Sequence, residues 1–358
     1  MNLFGFLGGS KSYLGVDIGT TSIKIVELQG GKHNPRLANY ALLENFGHFE
    51  RSNNVIQANA LKISEDETVA LLSILLKQTR FSSKSVVASI PSFASFISMI
   101  EMPQMGEDEI VKAMGFQIKQ SIPLPLSDIA VDWIRVGERE DENGFVKQQI
   151  LIVAIPNETI ARYQAIFKRV GLSLRALEVE TLSYARAVVG ADQTPTLVMD
   201  IGARSTNITF VDQGFVKHNT QIDYAGDTLT QAVSKGLGIS GRRAEELKKQ
   251  RGIMGGPGEY ELSTLEIPFV DVMISEMQKV AARLEREVGA KAQRVLLIGG
   301  GANLLGIEHY TEQQMGLPTV LGNGFLYVDA LPEVSVVLKE LQTRFATAIG
   351  LGMKNFVK

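Results

Sequence analysis

Hydrophobic and polar positions along the chain follow one distinctive pattern twice. Residues 13–16 and 196–199 are mostly apolar runs. Each is followed by the tripeptide Asp-Ile-Gly, then small polar residues, then a stretch in which apolar and polar residues alternate. An apolar run that meets a glycine and continues as an alternating stretch is typical of a strand, a tight turn and a second strand. The sequence therefore predicts two similar hairpins, one in each half of the chain.

The rest of the pattern predicts a mixture of strands and helices, and hence an α/β fold. Apolar runs without helical spacing predict strands at 37–43, 85–90, 93–102, 130–136, 146–155, 174–180 and 295–298. Apolar residues at helical spacing predict helices at 65–79, 107–121, 158–170, 182–189, 227–237, 242–250 and 269–288, one ending near 315, and a last one at 334–353. The elements between 82 and 175 form a compact α+β insertion within the first half.

Composition narrows the class of protein. A chain of 358 residues with 45% hydrophobic content is long enough for two or more domains. A net charge of −3 without a basic run argues against a nucleic-acid partner. The absence of cysteine excludes disulfides and thiolate metal sites, and the four histidines show no ligand spacing. The apolar start lacks a basic leader, and no run reaches the ~18–20 apolar residues of a spanning helix, so we expect a cytoplasmic protein.

Each predicted hairpin turn carries groups that suit a polyphosphate. Glycine exposes backbone N–H groups to a ligand, and hydroxyl side chains beside it complete a concavity for phosphate oxygens. Asp17 and Asp200 end the strands before the turns, where a carboxylate suits Mg²⁺ and its retained waters. Two facing hairpins would hold a Mg²⁺-nucleotide, whereas two unrelated hairpins would need Asp and Gly only for turn geometry.

A third glycine-rich turn, Gly299-Gly300-Gly301-Ala302-Asn303, follows a predicted strand and precedes a predicted helix. Bare backbone at a helix N-terminus lets a flat ring lie against it. The spacing is not the Gly-x-Gly-x-x-Gly of dinucleotide folds, and no Gly-x-x-x-x-Gly-Lys-Ser/Thr loop occurs anywhere in the chain. The turn therefore indicates a nucleoside contact in a protein that is neither a dinucleotide-binding fold nor a P-loop protein.

Tandem Asp-Ile-Gly hairpins and a late Gly-Gly-Gly turn resemble the actin-like ATPase superfamily over nearly the whole chain. The resemblance implies two halves around a nucleotide cleft, ATP and Mg²⁺ as cofactors, and helices 182–189 and 345–352 as hinge connectors. It further implies that Glu180 orients the attacking water and that Asp17 and Asp200 hold the metal through water. The nucleotide-binding residues that it implies are Asp17, Gly19, Thr20, Thr21, Lys24, Asp200, Gly202, Ser205, Thr206, Gly226, Glu245, Lys248, Gly299, Gly300, Gly301 and Asn303.

Within that superfamily, the insertion is similar to that of the FtsA branch, and the Met-Asn-Leu-Phe start and residues 17–28 resemble the PilM family of type IV pilus assembly. FtsA relatives usually end in an amphipathic membrane helix, for which residues 352–358 are too short. The resemblance implies a cytoplasmic protein that reaches the inner membrane only by docking the N-terminal cytoplasmic peptide of a PilN-like protein. Pilus motor ATPases and self-association are further partner hypotheses, and ATP turnover is expected to be slow at most. A related type II secretion role, an FtsA-like filament former and a small-molecule kinase stay open as alternatives.

The expected partner site is a groove between the insertion and the first-half core. Apolar and aromatic residues in this region exceed what a small layer with one buried face needs, unless they all fill its own core: Phe93, Phe96, Ile97, Met114 and Ile118. An extended peptide could bind there through main-chain hydrogen bonds and side-chain pockets.

The expected division of the chain follows from the same resemblance. The first-half core is 1–81, the insertion is 82–175, and 176–194 returns to the core with the first connector. The second-half core is 195–230 and 291–330, its outer subdomain is 231–290, and 331–358 is the C-terminal connector.

Overall fold

The computed structural model describes residues 12–30, 34–44, 64–140, 143–254, 260–330 and 335–356. Parts of the expected first-half core, including 45–63, and residues 255–259 of the expected outer subdomain lie outside these ranges. Among the described residues, no helix combines the length and apolar character needed to cross a bilayer.

The described strands are β1 (Ser12–Ile18), β2 (Ser22–Gln29), β3 (Arg36–Glu44), β4 (Ser85–Ile90), β5 (Phe96–Pro103), β6 (Ile129–Glu140), β7 (Val146–Pro156), β8 (Ser173–Val179), β9 (Thr196–Ile201), β10 (Thr206–Asp212), β11 (Phe215–Ile222), β12 (Arg294–Ile298) and β13 (Thr319–Leu321). The described helices are α1 (Glu65–Gln78), α2 (Glu107–Ser121), α3 (Asn157–Arg169), α4 (Glu180–Val188), α5 (Gly226–Leu237), α6 (Gly241–Arg251), α7 (Tyr260–Val288), α8 (Ile307–Met315), α9 (Ser335–Leu341) and α10 (Ala346–Met353).

Two sheets of the same design form the two halves. The first has the order β3-β2-β1-β4-β8 and the second β11-β10-β9-β12-β13. In each, an antiparallel meander carries the predicted hairpin, and two further strands lie parallel to its first strand. The strands β1 and β9 are nearly continuous apolar runs because both of their faces are buried, as is usual for the centre of an α/β sheet.

The third sheet, β5-β7-β6, lies in the insertion. Side chains alternate between its two faces. On one face, Ile150 and Ile152 pack with Met114 and Ile118 of α2. On the other face, the sheet packs against the body of the molecule.

The helices α4 and α10 cross at the base between the two halves. A Cβ on Gly350 would lie 1.8 Å from the carbonyl oxygen of Ser183, so only glycine allows this approach. Beside the crossing, buried Glu178 accepts bonds from Arg186 at 2.8 Å and from Lys354 at 2.6 Å. Burial alone would raise the pKa of Glu178, but these two cations lower it to about 2.

The predicted hairpins and most predicted helices are confirmed, with Ser64 capping α1 through the N–H of Glu67 at 3.2 Å. Several boundaries were wrong. The strand expected from 93 begins with a 3₁₀ turn, Ser92–Ala94, and Glu180 is the first residue of α4 rather than the end of a strand. The helix α7 runs through Pro268, and the Gly-rich turn is a 3₁₀ turn separated from α8.

The single helix expected at 334–353 is two helices. The residues between α9 and α10 turn away because their carbonyl groups have other partners. The carbonyl oxygen of Thr343 accepts a bond from Gly299 N at 2.9 Å, and that of Gln342 accepts one from Gly324 N at 3.0 Å. The strands β11 and β13 were not predicted.

Candidate functional site

A cleft of about 610 Å³ lies between the two halves and is lined by both hairpins. Each turn is closed by a backbone bond from its glycine, Gly19 N to Ser22 O at 2.9 Å and Gly202 N to Ser205 O at 3.0 Å. The two Asp-Ile-Gly turns therefore have the same local geometry. They contribute to one cavity, which is large enough for a small-molecule ligand.

Asp17, at the end of β1, is a paired carboxylate. Its Oδ2 accepts a bond from Lys24 Nζ at 2.8 Å, and its Oδ1 accepts one from Ser89 Oγ at 2.9 Å. Lys24 reaches it because the antiparallel register of β1 and β2 places the two residues opposite each other. Each oxygen retains a lone pair for a water molecule or a further donor.

Asp200, the corresponding residue on β9, has a different setting. Its cross-strand partner is Asn207, and among the residues that the structure describes no side-chain donor bonds to it. A Cβ on Gly299 would lie 2.5 Å from Asp200 Oδ1, so the Gly-rich turn leaves the space that this carboxylate fills. Burial, followed by the charge of Glu180, raises the pKa of Asp200 to about 7.

Glu180, at the start of α4, connects the two halves at the floor of the cleft. Its Oε1 accepts bonds from the backbone N–H of Ser92 and from Asn207 Nδ2, both at 2.9 Å. Burial raises the pKa of this carboxyl group despite both bonds. The carboxyl group thus joins the loop before β5 to the second hairpin, and one of its oxygens is already occupied.

The outer wall of the cleft contains a charged cluster on α5 and α6. Lys248 Nζ donates to Gly226 O at 2.9 Å and to Thr230 Oγ1 at 2.7 Å, and it pairs with Glu245 Oε2 at 2.5 Å. Burial would raise the pKa of Glu245, but Lys248 holds it below its ordinary value. The cluster presents both charges to the cavity from a fixed position.

The Gly-rich turn faces this cluster. Gly299, Gly300, Gly301 and Asn303 all line the cleft. Asn303 Nδ2 donates to Thr343 Oγ1 at 2.9 Å, which ties the turn to the segment before α10. The turn presents backbone with little side-chain cover, as a planar ligand group requires.

Most sequence-predicted nucleotide residues line this one cavity: Asp17, Gly19, Thr20, Thr21, Lys24, Asp200, Gly202, Ser205, Gly226, Glu245, Lys248, Gly299, Gly300, Gly301 and Asn303. Thr206 does not. It is fully buried, and its hydroxyl donates to Tyr224 O at 2.7 Å, because strand alternation turns this side chain away from the cavity. Glu180 also lines the cleft.

The five residues predicted for a partner groove do not share one surface. Met114 and Ile118 are buried in the core between α2 and its sheet, so a groove lined by these two was wrong. Phe93 lines the cleft between the two halves instead. Phe96 and Ile97 are partly exposed on opposite faces of β5 and remain near the junction of the insertion with the first half.

Sequence reasoning missed several residues of the cleft wall, among them Asn207, Arg162, Arg204 and Arg344. Asn207 had a usable signal, since it occupies in the second hairpin the position that Lys24 has in the first. The arginines come from different elements, and nothing in the linear pattern distinguishes them from surface residues.

The oxygen acceptors at the two hairpins fit a hydrated Mg²⁺ ion. Among the described residues there is no cluster of three or more His, Cys, Asp or Glu side chains that could hold a metal. Two carboxylates at the hairpins and the unpartnered Oδ1 of buried Asn207 are oxygen acceptors, which suit water ligands of Mg²⁺. Asp17, Asp200 and Asn207 are thus the residues that could hold such an ion through its waters.

Comparisons with known proteins give one family and a set of relatives. A family model described as type IV pilus assembly protein PilM matches residues 15–356. The cell division protein FtsA of Neisseria meningitidis serogroup B (strain ATCC BAA-335 / MC58) is 24% identical over 273 residues, which are 68% of this chain and 64% of FtsA. The chain therefore spans less than two thirds of the length of that relative.

Among solved structures, a PilM-PilN type IV pilus biogenesis complex matches with a TM-score of 0.80 at 20% identity, over 97% of this chain and 99% of the other. MreB5 of Spiroplasma citri bound to AMPPNP matches with a TM-score of 0.51 at 12% identity, over 96% and 95%. The ethanolamine utilization protein EutJ of Carboxydothermus hydrogenoformans matches with a TM-score of 0.55 at 15% identity, over 98% and 92%. At these identities the likeness is one of fold, and it confirms the predicted actin-like class.

Proposed function

The chain belongs to the PilM family of type IV pilus assembly proteins, and we propose that it acts there as a nucleotide-binding adaptor. In this proposal it binds Mg²⁺-ATP between its two hairpins and docks the N-terminal cytoplasmic peptide of a PilN-like inner-membrane protein. The observation that carries the nucleotide part is the convergence of both hairpins, the Gly-rich turn and the Glu245–Lys248 pair on one cavity. An actin-like relative solved with bound AMPPNP supports it.

Each part of the cleft has a role in this proposal. The backbone amides of both hairpin turns and Lys24 hold the β- and γ-phosphates, because N–H groups and an ammonium match phosphate oxygens. Glu245 and Lys248 contact the ribose and base, and the base lies against Gly299–Gly301. Bound Mg²⁺ would neutralise phosphate charge, with Asp17, Asp200 and Asn207 holding it through water.

ATP turnover by the isolated chain is expected to be slow. Phosphoryl transfer depends on positioning and charge stabilisation, so a group that orients the attacking water must be free to do so. Glu180 is the candidate, but one of its oxygens already accepts two bonds and its pKa is raised by burial. The protein would therefore keep most of its bound ATP unhydrolysed, as suits an adaptor.

A titration of the purified chain with ATP and Mg²⁺ tests the nucleotide proposal. Binding should raise the melting temperature. At a free nucleotide concentration a hundredfold above Kd, the free energy of unfolding should increase by about 2.7 kcal/mol. The reverse-charge variant Lys248→Glu should weaken binding, whereas Lys235→Glu, at an exposed position on α5, serves as the matched control. A folded protein with no shift at millimolar nucleotide would contradict the proposal, and turnover near ~10 per second would favour a kinase instead.

The partner proposal places the peptide at the junction of the inserted sheet with the first half. Phe96 and Ile97 lie at the start of β5, where the chain leaves the first half. As an edge strand of its sheet, β5 can offer main-chain groups to an extended peptide, and partly exposed apolar side chains can read its residues. The relative solved as a PilM-PilN complex supports a partner of this type. Such docking would hold the protein at the inner face of the membrane.

A synthetic peptide from the cytoplasmic N-terminus of the neighbouring single-span protein tests this site. Phe96→Asp should abolish binding, since it puts a charge at the junction. Phe116→Asp is a matched control, because Phe116 is 63% exposed on α2 away from the junction. If the peptide binds equally well to both folded variants, its site does not include Phe96.

A further inference from the structure

The inserted sheet belongs to the first half in sequence, yet it packs against both halves. Ile97 and Val153 on its inner face pack with the first-half core around α3 and β4. Leu151 and Val136, further along the same face, lie in a cluster that contains Val216 of the second half. The sheet therefore spans the junction of the two halves beside the helical crossing, since Tyr184 of α4 and Ile349 of α10 lie in the same cluster.

A polar contact fastens the second-half end of this span. Lys217 on β11 donates to Val136 O at 2.7 Å and to Gln149 Oε1 at 2.8 Å. The carbonyl group of Val136 is available because the register of β6 with β7 shifts between Arg135 and Gly137, as at a β-bulge.

The backbone at Gly137 is shaped for this lysine. Gly137 has φ +156°, and a Cβ there would lie 2.7 Å from Lys217 Nζ. Any side chain at this position would meet the ammonium group. The bulge and Gly137 of the inserted sheet thus meet partly buried Lys217 of the second half at one point. Two surfaces that merely pack together do not need such a fitted contact.

The position of this contact matters for the cleft. The chain passes between the halves at α4 and returns through α10, so rotation about that crossing would open or close the cavity. Such a rotation moves β11 relative to the first half. The inserted sheet is packed on the first half, so the contact of Lys217 must either hold against the rotation or break.

We infer that the inserted sheet is a strut that sets the angle between the two halves, with Lys217 as the positioning residue that fastens it. Loss of the contact widens the cleft and frees the second hairpin to move away from the first. The effect on nucleotide rests on the proposed function. Loss of the contact would then make the release of bound ATP faster. A partner on β5 would act on the same strut.

A distance measurement between the halves tests the strut without any ligand. The chain has no cysteine, so Lys77→Cys on α1 and Gln250→Cys on α6 introduce the only two thiols for spin labels. With Lys217→Met, the distance distribution should gain a longer-distance population. Lys217→Arg should restore the distribution of the parent protein, because it keeps donors on a long stem. Lys235→Met, an exposed lysine of the same half, should change nothing.

Release of a fluorescent ATP analogue provides the second readout. In Lys217→Met it should be roughly fivefold faster or more, which is the lower range of ordinary coupling between sites. Gly137→Ala should act in the same direction by displacing the ammonium group, and it replaces Lys217→Met if that variant does not fold.

An unchanged distance distribution in the folded variants overturns the strut, whether or not nucleotide binds. A changed distribution with unchanged release overturns its effect on the cleft. If the parent protein binds no nucleotide, the proposed function fails, while the distance measurement still decides on the strut.

Discussion

The two halves treat the same structural position in opposite ways. Asp17 and Asp200 end equivalent strands before equivalent turns. Asp17 is bonded to Lys24 and Ser89, whereas Asp200 has no bonded donor among the described residues, and its pKa is raised to about 7. A duplicated backbone thus supports two carboxylates of different character.

The difference extends beyond the hairpins. In the first half, buried Glu27 accepts bonds from Ser12 and from the segment at Ser82 and Ser83, and Glu178 is paired with two cations. In the second half, Glu266 is fully buried, and neither of its oxygens has a hydrogen-bond partner in the part of the chain that the structure describes. Paired carboxylates fix a structure, whereas unpaired ones store free energy that a ligand or a proton can release.

The largest expected effect comes from breaking a paired carboxylate of the first half. Glu178→Gln should lower the free energy of unfolding by roughly 3–5 kcal/mol, because it leaves buried Lys354 and half-buried Arg186 without their counter-charge. Since the folded pKa of Glu178 is depressed to about 2, its contribution is present above the unfolded value near 4.5 and is lost as the pH falls toward 2. Urea denaturation of both proteins at pH 7 and pH 4 measures the loss of stability and its dependence on pH. Glu65→Gln, in an exposed pair with Arg169, is the control and should cost less than about 1 kcal/mol.

The next effect has the opposite sign and tests the second half. Burial raises the pKa of Glu266 to about 8, so the folded state holds a proton that the unfolded state releases. Its contribution is complete below the unfolded value near 4.5 and is lost as the pH rises through 8. Glu266→Gln should therefore gain stability relative to the parent protein between pH 5 and pH 8.5, by roughly 2–3 kcal/mol at the upper end. Thermal unfolding across this range would contradict the idea if both proteins lost stability in parallel, with Glu276→Gln as a surface control.

Magnesium dependence should separate the two hairpin aspartates. Asp200→Asn should lose more Mg²⁺-dependent ATP affinity than Asp17→Asn, by ~10-fold, because among the described residues no cation is hydrogen-bonded to Asp200, whereas Lys24 is bonded to Asp17. Asp17→Asn should weaken binding less and lower the melting temperature more, since Lys24 loses its partner. Calorimetric titrations with and without EDTA measure the difference, and equal losses would mean that the shared turn, rather than its surroundings, decides the metal site.

The smallest effect concerns the link between the two carboxylates. The positive charge of Lys24 lowers the pKa of Asp200 from across the cleft, against the effect of burial. Lys24→Gln should raise that pKa further, by less than about one unit, as expected for a charge that acts without direct contact. A carboxyl NMR titration checks it. If the pKa of Asp200 is the same in Lys24→Gln as in the parent protein, Lys24 does not influence it.

The sequence by itself determined the two hairpins, most helices and most of the residues that line the cleft. These features rest on local rules: a glycine after an apolar run makes a turn, a serine such as Ser64 caps a helix, and apolar spacing distinguishes helix from strand. The actin-like class came from the resemblance of the two hairpins and the late Gly-rich turn to that superfamily.

Only the tertiary structure decided which of those residues are paired and which are free. Lys24 and Asn207 occupy equivalent positions opposite the two aspartates. Lys24 bonds to its cross-strand partner Asp17, whereas Asn207 bonds to Glu180 of the connector helix α4. The break between α9 and α10 has the same kind of cause, since carbonyl groups that would continue a helix bond to distant glycines. Met114 and Ile118 carry the same apolar character in a core as in a groove, and packing alone assigned them to the core. Hydrogen bonds and burial between residues far apart in sequence depend on where the elements meet, and the linear pattern does not contain that information.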